Sequence, residues 1–150
     1  MRKNILIGLL SFSWLFGQWI ALDKLKANDK YNYDQFGKAV AISGDYAIVG
    51  APENGNGQRG AAYIFYRTAS GWSQQAKLTI NDPETSDYLA QRVDIYGPYA
   101  VVSATAKNNR QGAVYVFKRN GVNWTQEAKL QADDKKNDSY FSSGLAIGYY

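Results

Sequence analysis

The side chains that could do chemistry in this 150-residue sequence are carboxylates, tyrosines, serines and lysines, because histidine and cysteine are both absent. Without imidazole the commonest general base and metal ligand is missing. Without thiols there is no disulfide framework, thiolate zinc site or cysteine-anchored lipid. The remaining polar groups gather in a few places. Glu53, Asn54 and Asn56 crowd one loop where they could chelate a cation, although a solvated turn is the simpler reading. "NDPETSD" brings Asp82, Glu84 and Asp87 together, and "DDKKNDS" sets Asp133, Asp134 and Asp138 beside Lys135 and Lys136, as a mixed-charge loop does. Asn123-Trp124-Thr125 and Asn137-Asp138-Ser139 fit the glycosylation acceptor pattern. Trp72 and Trp124 offer faces on which a sugar could stack. No nucleophile elbow, phosphate loop or HExxH helix occurs, so catalysis would need paired carboxylates in a cleft, and the spacing places no such pair.

The elements that must position these residues are repeated. "GAAYIFYR" (Gly60 to Arg67) returns 52 residues later as "GAVYVFKR", and "GWSQQAKL" (Gly71 to Leu78) returns at the same distance as "NWTQEAKL". "FGKAVAIS" (Phe36 to Ser43) reappears two periods on as "FSSGLAIG", and "SGDYAIVGAP" has a degraded copy in "YGPYAVVSAT". Each period reads as four short strands. Val40 and Ile42 alternate with small alanines, Gly44-Asp45 turns the chain into Tyr46–Gly50, and two further strands cover Ala61–Arg67 and Trp72–Leu78. Four antiparallel strands recurring near 50 residues predict an all-β chain of β-propeller blades. The 15% aromatic content, with 12 Tyr and 4 Trp, agrees. Trp72 and Trp124 open the same strand in successive periods, which points to packing between blades.

At the N-terminus Arg2 and Lys3 precede a 13-residue apolar run, Ile5 to Gly17. That is short of the about 20 residues a spanning helix needs and matches a secretory signal. Trp19 stands 53 residues before Trp72, so "QWIALDKL" reads as a fourth strand and the mature chain is expected to begin near Gln18. The division expected is a signal at 1–17, an outer strand at 18–26, blades at 27–79 and 80–131, and part of a third at 132–150, an incomplete ring. Two of the four net positive charges leave with the signal. The remainder is too weakly basic to suggest nucleic acid or a membrane.

With Phe36-Gly37 followed by Gly50-Ala51-Pro52, the repeat resembles the FG-GAP family, the blade repeat of integrin α-subunit propellers, in its short bacterial secreted form. The resemblance implies a calcium loop between the two motifs, but Lys38 to Val49 offers only Asp45 and Arg92 to Val102 only Asp94. Calcium takes roughly 6–8 oxygen ligands, so the calcium function is not carried over and no cofactor is expected. The expected function is a secreted or cell-surface, non-enzymatic module for adhesion or for binding an extracellular protein or glycan. Its ligand face would comprise Asn54, Asn56, Arg59, Asp82, Glu84, Asp87, Asn108, Arg110, Asp133 and Lys135 on the loops joining strands 2 to 3 and 4 to 1. An accessory propeller of a secreted enzyme and a structural spacer are the alternatives.

Overall fold

The computed structural model describes residues 24–148 apart from 30, 56 and 135. The signal stretch, Trp19 and most of the expected outer strand 18–26 therefore lie outside the described residues. Lys24 to Lys26 are described and lie in no strand.

Eight strands form two four-stranded antiparallel sheets. β1 (Val40–Ser43), β2 (Tyr46–Ala51), β3 (Ala61–Thr68) and β4 (Gly71–Leu78) make the first blade. β5 (Leu89–Tyr96), β6 (Tyr99–Ala104), β7 (Ala113–Asn120) and β8 (Asn123–Leu130) make the second. Within each sheet strands pair only with sequence neighbours, the up-and-down order of propeller blades. The β1–β2 turn shows why the sequence permits this. Gly44 has φ +58 and Gly97, its counterpart, φ +55. The next residue in the second blade is Pro98, whose ring holds φ negative. A two-residue hairpin with positive φ only at its first position follows the type II′ pattern, in which that position is glycine.

Period-2 alternation divides each sheet into two apolar faces. Ile48, Ala62, Ile64 and Leu78 of the first blade meet Val93, Ile95, Ala100, Val102, Tyr115 and Phe117 of the second in one core. On its other face the first blade gathers Ala47, Val49, Ala51, Ala61, Tyr63 and Phe65, with Leu25, Phe36 and Trp72 against them. Phe36 sits edge-on to Tyr63 and Phe65, with ring centroids 5.6 and 6.1 Å away.

The same β-bulge occurs in both blades, between Ile64 and Phe65 against β4 and between Val116 and Phe117 against β8. A bulge leaves one residue outside the ladder, and in β4 that residue is Gln75. Its Oε1 accepts a hydrogen bond from Nε1 of Trp124 at 3.0 Å, while the Trp124 ring stands edge-on to Tyr46 at 6.2 Å. Trp124 thus spans the two blades as a packing residue.

Candidate functional site

A polar frame recurs at the ends of both blades. In the first, the Tyr63 hydroxyl donates to Asp29 at 2.9 Å and Lys77 pairs with the same carboxylate at 2.5 Å. In the second, Tyr115 donates to Asp82 at 2.9 Å and Lys129 pairs with it at 2.7 Å. Burial pushes the Asp29 and Asp82 carboxyls up, but bonds from their lysine and tyrosine partners outweigh it and both finish below the ordinary value. Burial, then the adjacent carboxylates, push both tyrosines well above theirs. The two tyrosines are therefore protonated donors, which suits scaffolding rather than acid–base work near neutrality.

A carboxyl lowered on folding stabilises above its unfolded pKa of about 3.9 and loses that contribution as the pH falls through its folded value. Melting temperature is accordingly expected to fall as the pH drops below about 4, less steeply in high salt because both acids are partly exposed. The double variant Asp29→Asn, Asp82→Asn should flatten that acid limb in a pH series of thermal melts. An unchanged limb would remove these acids as its source.

The loops before each first strand hold a second recurring feature. Asp34 Oδ2 accepts the Tyr31 N–H at 2.6 Å, and Asp87 Oδ2 accepts the Glu84 N–H at 2.7 Å. What fills the other side of each carboxylate differs. Asn54 donates to Asp34 at 3.1 Å, whereas in the second blade its register equivalent, Lys107, reaches Asp87 at 3.1 Å. Lys107 is 1% exposed, yet its ammonium also meets Glu84 at 3.4 Å and Asp82 at 3.7 Å and donates to the Asp82 carbonyl. A buried charge needs this density of partners. Burial nonetheless dominates at Asp87 and raises its carboxyl, against the lowering by the Glu84 N–H and Lys107.

The ten expected ligand-face residues consequently divide. Asn54 is buried and bonded to Asp34, away from the cleft described below, whereas Asp87, itself almost fully buried and bonded to Lys107, borders that cleft. Asp82 is tied to Tyr115, Lys107 and Lys129 and belongs to the scaffold. Arg59 and Asp133 are exposed and do not line the cleft described below. Asn56 and Lys135 lie outside the described residues.

Glu84, Asn108 and Arg110 do come together. They line an open cleft of about 540 Å³ with Asn109, Asn137 and Asp138. One wall is a single turn, Lys107–Arg110, in which Asn108, Asn109 and Arg110 are left-handed with φ 52, 55 and 63. Three consecutive non-glycine residues in that region carry strain of the kind that collects at ligand sites. Arg110 pairs with Asp138 across the cleft at 3.1 Å. Asn109, Asn137 and Asp138 are not in the expected ligand face, although Asn137 and Asp138 belong to the acceptor sequon and the mixed-charge loop of the sequence. The 52-residue register aligns Asn109 and Arg110 with Gly57 and Gln58, so the change of residue type there was the available signal.

A calcium site does not fit the interior hairpins. Asp45 is bonded to Arg67 at 2.6 Å, and the two Asp94 oxygens accept the N–H groups of Ile95 and Ile147. Among the described residues no group of three or more His, Cys, Asp or Glu side chains is placed to hold a metal, and no helix is long and apolar enough to cross a membrane.

Four-stranded up-and-down sheets recurring with one polar frame define a protein built of propeller-type blades. The FG-GAP repeat model matches residues 19–65 and 72–117, most of the chain, and the protein belongs to the FG-GAP repeat family. No curated protein matches the chain.

Proposed function

We propose that this chain is a non-enzymatic recognition module of an exported or cell-surface protein, binding an extracellular protein or glycan through the loop face of its second blade. The observation that supports this reading is the cleft gathering Glu84, Asn108, Asn109, Arg110, Asn137 and Asp138 from three loops. Binding residues concentrate on loops held by a rigid scaffold. Its amides and the Arg110–Asp138 pair offer both donors and acceptors with little net charge, suited to a neutral polar ligand. The basic start and apolar run of residues 2–17 support export, and the single carboxylate in each interior hairpin supports binding without a cofactor.

The test is binding of labelled protein to arrays of glycans and extracellular matrix proteins, wild type beside Arg110→Ala and Asp138→Ala. Both variants should lose roughly tenfold or more in affinity, equivalent to about 1.4 kcal/mol. Their stability should change by no more than about 0.5 kcal/mol, as for exposed sites. Ligands retained equally by both variants would place recognition elsewhere, and an array without any bound ligand would remove the reading.

A further inference from the structure

A second cleft borders the first and carries a different charge. It encloses about 350 Å³, shares Tyr88, Ala106 and Arg110 with the first, and adds Arg92, Thr105 and Tyr140. Two guanidiniums line it and no carboxylate does. Arg110 meets Asp138 on the side of the first cleft at 3.1 Å. Arg92 is exposed, donates to the Gln91 carbonyl at 2.9 Å, and has no acidic partner among the described residues.

Arg92 is placed by features that the first blade lacks. A bulge lies between Leu89 and Val93 of β5, and bulges re-aim side chains beside functional sites. Within it Ala90 has φ 74, a left-handed conformation that the first blade leaves to Gly37 at φ 94. The Arg92 N–H is held by Oγ of the buried Ser103 at 2.8 Å. Arg92 and Ser103 stand where the first blade has Ala39 and Gly50, and the third copy of the repeat has Gly144 in place of the arginine. In the same register Arg110 replaces Gln58, Ala106 replaces Glu53 and Gln91 replaces Lys38. The first blade thus has one acid and one base at these positions, with no net charge, against two positive charges in the second. Blade packing does not demand that exchange, because the first blade folds without it.

The walls are fixed by the backbone bonds that join successive blades. The N–H groups of Ser86, Tyr88 and Leu89 donate to the carbonyls of Gly57, Gln58 and Arg59 at 2.6, 3.2 and 3.1 Å. One period later Asp138, Tyr140 and Phe141 donate to Asn109, Arg110 and Gln111 at 3.4, 2.9 and 2.9 Å. The Tyr88 hydroxyl also donates to Gln58 at 2.5 Å. Walls held in this way lose little freedom when a ligand binds.

We infer, on the footing of the proposed loop-face recognition, that the two clefts form one site for an acidic oligosaccharide. An uncharged sugar occupies the first cleft, and a carboxylate-bearing sugar lies against Arg92 and Arg110 in the second. Guanidinium forks match carboxylates, and such charge-assisted bonds are roughly twice as strong as neutral ones. The amides of Asn108, Asn109 and Asn137 each offer donors and an acceptor, which suits adjacent ring hydroxyls that do both. Glu84, Asp87 and Asp138 line the first cleft and repel a second carboxylate there. That repulsion disfavours a run of acidic peptide side chains and favours a saccharide whose charge stands beside neutral sugars.

The test is an array of oligosaccharides that carry a hexuronic or sialic acid beside neutral sugars. Each is spotted as the free acid and as its methyl ester, which keeps the shape and removes the charge, with oligoglutamate alongside. The intact chain should bind at least one free acid roughly tenfold or more tighter than its ester. Arg92→Gln should bring acid and ester within roughly twofold of each other, with the melting temperature of the wild type because Arg92 is exposed. No acid preferred over its ester, a preference that Arg92→Gln leaves intact, or oligoglutamate bound as tightly as the acidic saccharides would overturn the inference. Neutral glycans or proteins bound equally well, and lost in Arg110→Ala, would overturn the acidic ligand while leaving the loop face as the binding surface.

Discussion

Lys107→Met is expected to destabilise the protein by about 3–5 kcal/mol, the usual consequence of breaking a buried ion pair from one side. The methionine fills similar volume but strands Asp87, which is 1% exposed and has only the Glu84 N–H left to bond its Oδ2. Against a total of roughly 5–15 kcal/mol for a folded domain, that loss should show directly in urea midpoints. The repeat supplies the control. Asn54 satisfies Asp34 at the equivalent place with a neutral amide, so Lys107→Asn should recover a good part of the loss. Asp87→Asn in the methionine background should do likewise, because it removes the stranded charge. If methionine and asparagine variants melt alike, the ammonium is not what holds this loop.

Gly60→Ala should be nearly as damaging, for a different reason. Gly60 has φ +81, and a Cβ built there would lie 2.3 Å from the Leu89 carbonyl oxygen and 2.6 Å from its nitrogen. Those atoms are backbone held in the blade junction, so nothing flexible can yield. Left-handed strain of about 1 kcal/mol and overpacking of about 1–3 kcal/mol together suggest about 2–4 kcal/mol. Gly97→Ala isolates the first contribution, since Gly97 has φ +55 and nothing within 4 Å of its Cβ direction. A Gly60 variant no less stable than the Gly97 variant would mean that the blades are not pressed together at this point.

How much of this was legible beforehand depends on whether a feature is local. The four-strand period was readable from the Ala-Tyr-Ile-Phe and Ala-Val-Tyr-Val-Phe runs, because alternation and turn residues act within a few positions. The interblade role of Trp124 followed from its fixed place in the repeat. The burial of Asn54, Asp87 and Lys107 did not follow, since polar residues in Gly/Asn-rich loops ordinarily face water and lysine is rarely enclosed without several partners. Those partners come from loops 20 to 25 residues away. Nor could sequence show left-handed backbone at Tyr33, Gln35, Ser86 and Tyr88, residue types that seldom adopt it. Tyr33 and Gln35 adopt it with no neighbouring-blade acceptor among the described residues, so the interblade bonds of Ser86 and Tyr88 are not its cause.

Successive blades are joined by a repeated backbone ladder, and the first copy of its donors, Tyr33, Gln35 and Phe36, meets no acceptor among the described residues. Residue-resolved hydrogen exchange on the intact chain tests it in one experiment. Amides of Ser86, Tyr88, Leu89, Tyr140 and Phe141 should be protected, with those of Tyr33, Gln35 and Phe36 exchanging at the rates of unbonded loop amides. Equal protection of all three sets, or fast exchange at Ser86, Tyr88 and Leu89, would contradict it.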